Sequence, residues 1–415
     1  MARKISSVVL IGGGQAAAQA AQSLRMSGYD GKLSLVGDEP VLPYQRPPLS
    51  KAFMKGELAE ERLYFKPAAW YENNKIDTLL SQRVLGIDRS AQRIRLEHGG
   101  DLPYDALIIA TGARPRPLPV TGADLSGVHA LRSLSDVERI RPQMISGRKM
   151  VIIGAGYIGL EAAAVARQFG LDVTVLEMAD RVLARVTSPV ISEFYTRLHH
   201  ARGVDIRLGA RLAGLRGSRG RVTQAVLDTG ESIDADIVLV GIGILPNTEL
   251  AAAAGLQCAN GILVDEDART SDPCIFAAGD CTVRPIIPYG RTGRLESVHN
   301  AIEQGKLAAA AIMGTDRPRV DCPWFWSDQF DIKLQIAGLS TGHDDIVLRG
   351  EMSTCRFSAF YFKTGHLIAV DAINSPADFL ASKKLILNQA RPSKVELADT
   401  AVPIRDILGK MTVQG

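Results

Sequence analysis

Two stretches of this 415-residue chain read as the same folding unit. One is ISSVVLIGGGQAAAQAAQSLRMSG, starting at Ile5; the other is KMVIIGAGYIGLEAAAVARQFG, starting at Lys149. Each runs a β-branched apolar segment into closely spaced glycines, then into a run of helix formers that stops at Gly28 or Gly170. A second apolar strand ending in acids follows each, KLSLVGDE and LDVTVLE. Strand, tight glycine turn, helix and strand form a right-handed crossover unit, and few architectures accept two of them. The expected fold class is α/β, with two Rossmann-like dinucleotide-binding domains.

The chemistry explains the residue types. Gly12, Gly14 and Ala17 fit G-x-G-x-x-[G/A], and Gly154, Gly156 and Gly159 fit the same pattern. Glycines let the backbone approach a pyrophosphate, the helix N-terminus offers free N–H groups, and an acid beyond the next strand holds a ribose hydroxyl. In the first unit that acid is Asp38 or Glu39, with Asp38 preferred as nearer the strand end. In the second it is Glu177, 21 positions after Gly156. A carboxylate there favours a free 2′-hydroxyl over a 2′-phosphate, so NADH is expected over NADPH; Arg181, a few residues on, counts against this. A ligand-free turn or a decayed copy is the competing explanation, but a decayed copy would not need to keep its glycines and acid. Two intact sites imply one resident and one diffusing dinucleotide that exchange electrons, with FAD and NAD(P)H the obvious pair.

Composition narrows the partners. A net charge of +3 is too weak to argue for nucleic acid, and no run reaches the ~18 apolar residues of a membrane span. Met-Ala-Arg-Lys leads directly into the first strand, so a soluble cytoplasmic protein is expected. The five cysteines, Cys258, Cys274, Cys281, Cys322 and Cys355, form no close pair, which argues against zinc or iron–sulfur ligation. Three further segments suit a flavin protein. YDALIIATGARPRPLPV ends a strand at Thr111-Gly112, ADIVLVGIGILPNTEL ends one at Gly241-x-Gly243, and CIFAAGDCT ends one at Gly279-Asp280, where an acid can reach a polyhydroxyl chain. Gly-Asp after a strand is by itself usually only a turn.

Together ATG, GIGILPN and AAGD around two nucleotide turns resemble flavoprotein reductases of glutathione-reductase fold. YQRPPLSK (44–51), YIGLE (157–161), RLESVHNA (294–301) and PWFWSDQF (323–330) resemble, within that group, the FAD-dependent ferredoxin reductases that serve bacterial haem-thiolate monooxygenases and ring-hydroxylating dioxygenases. The resemblance implies a discontinuous FAD domain (1–111 and 242–320), an NADH domain (112–241) and a C-terminal domain (321–415). The last part also reads independently as α+β. KLQIAGLS, DIVLRG, SAFYFK and HLIAVDAIN alternate as short antiparallel strands, and PADFLASKKLILNQ is a helix opening at Pro376.

The resemblance also assigns residues. Lys51 lies beside the flavin and pairs with Glu161, which stands about half a helical turn past Gly159. A fixed ammonium stabilises negative charge on the reduced ring, and its carboxylate partner orients it. Ala16, Asp38, Lys51, Val84 and Arg132 match FAD-contacting positions. Asp280 binds the ribityl chain, Val298 meets the ring through its backbone, and Glu296 lies near nicotinamide or flavin. Trp326, with Trp324 nearby, lies at the flavin's exposed edge. Disulfide reductases and NADH peroxidases of this fold need an early cysteine, and none precedes Cys258. Electrons then pass from flavin directly to an outside acceptor. The expected acceptor is an acidic [2Fe–2S] ferredoxin that supplies an oxygenase, docked with the help of Lys306, Lys333, Lys383 and Lys384. Two alternatives are a reductase of a small acceptor such as monodehydroascorbate, and a binding module resembling apoptosis-inducing factor.

Overall fold

A computed structural model describes residues 5–412, which divide into two compact units. The first comprises the chain up to Gln45, Ala59–Arg114 and Ile244–Val320; the second comprises Arg46–Leu58, Pro115–Gly243 and the chain from Asp321.

The first unit is organised by a parallel sheet in the order Ile275–Ala277, Ala106–Ile109, Ser7–Ile11, Lys32–Val36, Ile76–Leu79. Its strands are apolar at successive positions because both faces are covered. Val8, Leu10, Leu33 and Leu35 face the helices Gln15–Met26 and Val298–Met313, whose alanines permit a close approach. A Cβ on Gly305 would come within 2.8 Å of the Ala16 carbonyl oxygen, so that helix crossing requires glycine. Val9, Ile11, Leu107 and Ile109 face the other way, onto apolar residues such as Val84, Ile87 and Ile94 of an antiparallel three-stranded sheet.

The second unit repeats the plan. Val204–Leu208, Asp172–Glu177, Lys149–Ile153, Ile237–Val240 and Val128–Ala130 form a parallel sheet in that order. Val151, Ile153 and Val238 pack on a second antiparallel three-stranded sheet through Leu215, Val222 and Ala225. The C-terminal portion adds a five-stranded antiparallel sheet, ordered Trp324–Gln329, Ile332–Gly338, His366–Ile373, Arg356–Lys363, Asp345–Glu351, with helix Pro376–Leu387 on it. Pro376 opens that helix, as its fixed φ and missing N–H favour.

The packing groups the chain differently from the three-part expectation in two places. Residues 46–58 lie with the second unit, where Arg46 donates to the Arg132 carbonyl and Lys51 bonds Glu161. Residues from 321 onward also pack into that unit, tied by Ser327 to Glu161 and by Thr187 to Asp371. Among the described residues no helix is long and apolar enough to cross a membrane.

Candidate functional site

Both glycine turns have the shape a dinucleotide needs. In the second unit Gly154 holds φ +100°, and a Cβ there would fall 2.6 Å from the Gly241 carbonyl oxygen. Gly156 is the N-cap of helix Tyr157–Gln168; a Cβ on it meets nothing within 4 Å. No side chain caps this helix and its first turn carries no acid, so no side chain of its own N-terminus competes with an anion for its first N–H groups. Gly159 lets the helix seat on the turn, since a Cβ there would lie 2.2 Å from the Gly154 carbonyl oxygen. The first unit matches: Gly12 holds φ +127° against the Ala110 carbonyl, Gly14 opens to space as an uncapped N-cap, and Ala17 is buried at the third position. These cradles fit two pyrophosphates.

The acids differ between the two turns. Glu177 ends its strand and bends back to the glycine loop, accepting the Ala155 N–H at 2.8 Å and the Ala179 N–H at 2.9 Å. Its carboxylate is therefore fixed at the turn. Arg181 is spent elsewhere: Nη1 donates to the Thr187 carbonyl and Ser192 Oγ, and Nη2 donates to the Ala184 carbonyl. That removes it as a ready partner for a 2′-phosphate. In the first unit Glu39 accepts a 2.6 Å bond from the Tyr44 hydroxyl. Asp38 is largely exposed, with Arg83 4.0 Å away.

Other expected residues fall as follows. Thr111 clasps Asn247: its hydroxyl donates to the Asn247 carbonyl and its carbonyl accepts from the Asn247 amide, both at 2.8 Å. This hydroxyl therefore joins two chain crossings. Gly112 and Gly279 hold φ +63° and +90°, and the Gly279 N–H donates to Gln304 Oε1. Asp280 is half-buried beside Gly279 at the end of strand Ile275–Ala277. Val84 opens its strand and Val298 opens its helix behind the N-cap Ser297. Glu296 faces Arg294 at 2.5 Å, and the Arg185 guanidinium lies over Gly243. The Arg132 N–H donates to Asp136.

Lys51 and Glu161, 110 residues apart in sequence, meet at 2.7 Å. Glu161 is only 4% exposed, so its charge requires partners. It has three: Lys51 Nζ and Ser50 Oγ donate to Oε2, and Ser327 Oγ donates to Oε1. Ser50, Ser327 and the residues behind Ser327 do not stand out in the sequence. The stretch Trp324–Gln329 is a strand, and its alternation divides the side chains. Phe325 stacks on Tyr157 at 4.8 Å, Ser327 bonds Glu161 and Gln329 bonds His199, all on one face. Trp324 and Trp326 stack on the other at 5.4 Å. Burial pushes His199 down to about 4.

Of the four lysines, Lys383 is already paired with Asp321 at 2.6 Å and lies over the Trp324 ring. Lys333 is exposed 4.0 Å from Asp328, and Lys306 and Lys384 are exposed on their helices.

The family model for pyridine nucleotide-disulphide oxidoreductases matches residues 6–305, and that for the reductase C-terminal domain matches residues 324–408. The chain belongs to the pyridine nucleotide-disulphide oxidoreductase family. It is 45% identical to rhodocoxin reductase of Rhodococcus erythropolis, over 95% of this chain and 92% of the relative. It is 43% identical to putidaredoxin reductase of Pseudomonas putida, over 97% and 96%. A rubredoxin-NAD(+) reductase of Pseudomonas putida is 40% identical over 89% and 96%. The reductase in a covalent putidaredoxin reductase–putidaredoxin crystal structure superposes with a TM-score of 0.96 at 42% identity, covering 98% of this chain and 99% of that one. The disulphide part of the family's description finds no cysteine before Cys258. Cys281 is buried and its thiol is pushed up to about 11, which leaves it unreactive.

Proposed function

We propose that this chain is an FAD-dependent NADH:ferredoxin oxidoreductase that supplies electrons to an oxygenase. One observation carries this reading: two complete dinucleotide cradles occur in a chain whose first 257 residues contain no cysteine. Electrons delivered by one nucleotide to the other then have no internal disulphide to enter, and an outside acceptor must take them. The 43–45% likeness to reductases named for rhodocoxin and putidaredoxin supports a ferredoxin as that acceptor.

FAD, when bound, supplies a carrier that takes two electrons from NADH and gives them up singly. Gly12, Gly14, Ala16 and Ala17 cradle its pyrophosphate, Asp38 holds its adenosine ribose, and Asp280 and Val298 meet its other half. Val84, Thr111, Gly112 and Gly279 would complete that set, with Glu296 in the same unit. Gly154, Gly156 and Gly159 would cradle the pyrophosphate of NADH, Glu177 would select its unphosphorylated ribose, and Gly243 would border its nicotinamide. Lys51 would set an ammonium toward the bound ring, where positive charge favours electron uptake, and Glu161 aims that ammonium while offsetting its burial. Hydride transfer needs alignment, so neither residue acts as a proton shuttle. Trp326 marks the exit for electrons. Lys306, Lys333 and Lys384 offer positive charge to an acidic partner, and Lys383 contributes less because Asp321 already neutralises it.

The test is NADH-dependent reduction of cytochrome c by the FAD-loaded protein, alone, with a [2Fe–2S] ferredoxin, or with a rubredoxin. The reading expects the ferredoxin to raise the rate at least tenfold. Equal rates in all three arms would overturn it and favour a small-molecule acceptor. Stimulation by rubredoxin alone would move the acceptor to that class.

A further inference from the structure

Glu161 is held by more than its lysine. Its Oε1 accepts a 2.7 Å bond from Ser327, a residue with no exposed surface. The Ser327 oxygen in turn accepts from Gln329 Nε2 at 3.2 Å. Gln329 Oε1 lies 2.8 Å from His199 Nε2. An amide oxygen can only accept, so this contact requires the proton on His199 Nε2. His199 Nδ1, buried without a hydrogen bond, is then the bare nitrogen of the neutral ring. Burial keeps the imidazole neutral down to about pH 4. Every bond therefore runs one way: His199 donates to Gln329, Gln329 to Ser327, and Ser327 to Glu161. Reversing the Ser327 hydroxyl would set it against the Gln329 amide hydrogens and leave a buried carboxylate oxygen without a donor.

We propose that Ser327 is a positioning residue for the Lys51–Glu161 pair, locked in its donating orientation by Gln329 and His199. With Oε1 pinned by Ser327, Oε2 is presented to Ser50 and Lys51, and the ammonium is directed rather than free to rotate. The strand that carries the tryptophans thus also holds the carboxylate, from its opposite face. This inference rests on the proposed role of Lys51 beside the flavin.

The test uses FAD-loaded Ser327→Ala, Ser327→Thr, Glu161→Gln and the Ser327→Ala/Glu161→Gln double variant. Anaerobic stopped-flow reduction by NADH gives the limiting rate and the half-saturating concentration; urea unfolding gives a readout independent of turnover. A hydrogen bond to a charged group corresponds to a limiting rate lower by about tenfold in Ser327→Ala. Half-saturating NADH should stay within about twofold of wild type, and Ser327→Thr should recover most of the rate. In the Glu161→Gln background, Ser327→Ala should change the rate and the urea midpoint much less than it does alone. Equal effects of Ser327→Ala in both backgrounds, or a loss confined to NADH affinity, would overturn the proposal. If Ser327→Ala does not retain FAD, Ser327→Cys, a near-isosteric weak donor, is measured by the same criteria. If NADH reduces not even the wild-type flavin, the functional reading fails; the urea cycle then decides the Ser327–Glu161 coupling by itself.

Discussion

Replacing Lys51 with Met should leave Glu161 as a buried carboxylate with two hydroxyl donors and no counter-ion. The cost follows from the geometry. At 2.7 Å, with an effective permittivity of ~20, the attraction between the two charges is on the order of 6 kcal/mol. Desolvation of both groups offsets much of that attraction, so the intact pair contributes little net stability. Breaking it is different, because the carboxylate is 4% exposed while the ammonium is 18% exposed and can still reach water. Lys51→Met should therefore lower the unfolding free energy by about 3 kcal/mol, towards the lower end of the range for orphaned buried charges. Glu161→Gln should cost roughly 1–2 kcal/mol, and the double variant should resemble Glu161→Gln, leaving a coupling of about 3 kcal/mol. Urea unfolding at a fixed excess of FAD measures all four proteins. Effects that add to within ~0.5 kcal/mol would refute a coupled buried pair. Lys51→Met should also slow anaerobic flavin reduction and lower the flavin potential; an unchanged potential would remove the ammonium from the ring's vicinity.

Glu177→Arg should depress NADH use and raise the NADPH-to-NADH ratio of kcat/KM, and Glu177→Gln should fall between, since an amide can accept only one of the two loop N–H groups. An unchanged ratio in Glu177→Arg would take Glu177 out of ribose selection. Asp371, buried beneath Thr187 and Tyr361, has its carboxyl pushed up to about 6, chiefly by burial. The folded state then holds a proton that the unfolded chain releases near pH 4, so this contribution is present at pH 4 and lost as pH rises through 6. Asp371→Asn stays neutral throughout, and its stability relative to wild type should improve by roughly 2 kcal/mol between pH 4 and 7; a difference flat with pH would contradict the raised carboxyl.

Local chemistry made much of the fold legible. Glycine at positive φ, β-branched runs covered on both faces, and alternating strands after residue 331 are near-neighbour signals, and the elements lie where those signals point. The Lys51–Glu161 pairing came only from the likeness of RPPLSK and YIGLE to a known family, because no local rule links residues 110 positions apart. Ser50, Ser327, Gln329 and His199 stayed hidden for the same reason: each is an ordinary polar residue until tertiary packing buries it. PWFWSDQF stood out for its aromatics, yet its period-two alternation already placed Ser327 and Gln329 on the face opposite the tryptophans. Lys383 shows the reverse case, a surface-type residue whose charge is claimed by Asp321. Arg181 is similar, since its three hydrogen bonds to neighbouring groups could not be anticipated from charge alone.

The central claim is that two electrons arrive together from NADH and leave one at a time. It is tested most directly by adding sub-stoichiometric NADH, without air, to a catalytic amount of the FAD-loaded protein and an excess of oxidised [2Fe–2S] ferredoxin. The account predicts that each NADH consumed reduces two ferredoxins, with the protein's flavin returning to its oxidised spectrum. Bleaching of the flavin with the ferredoxin left oxidised would contradict it.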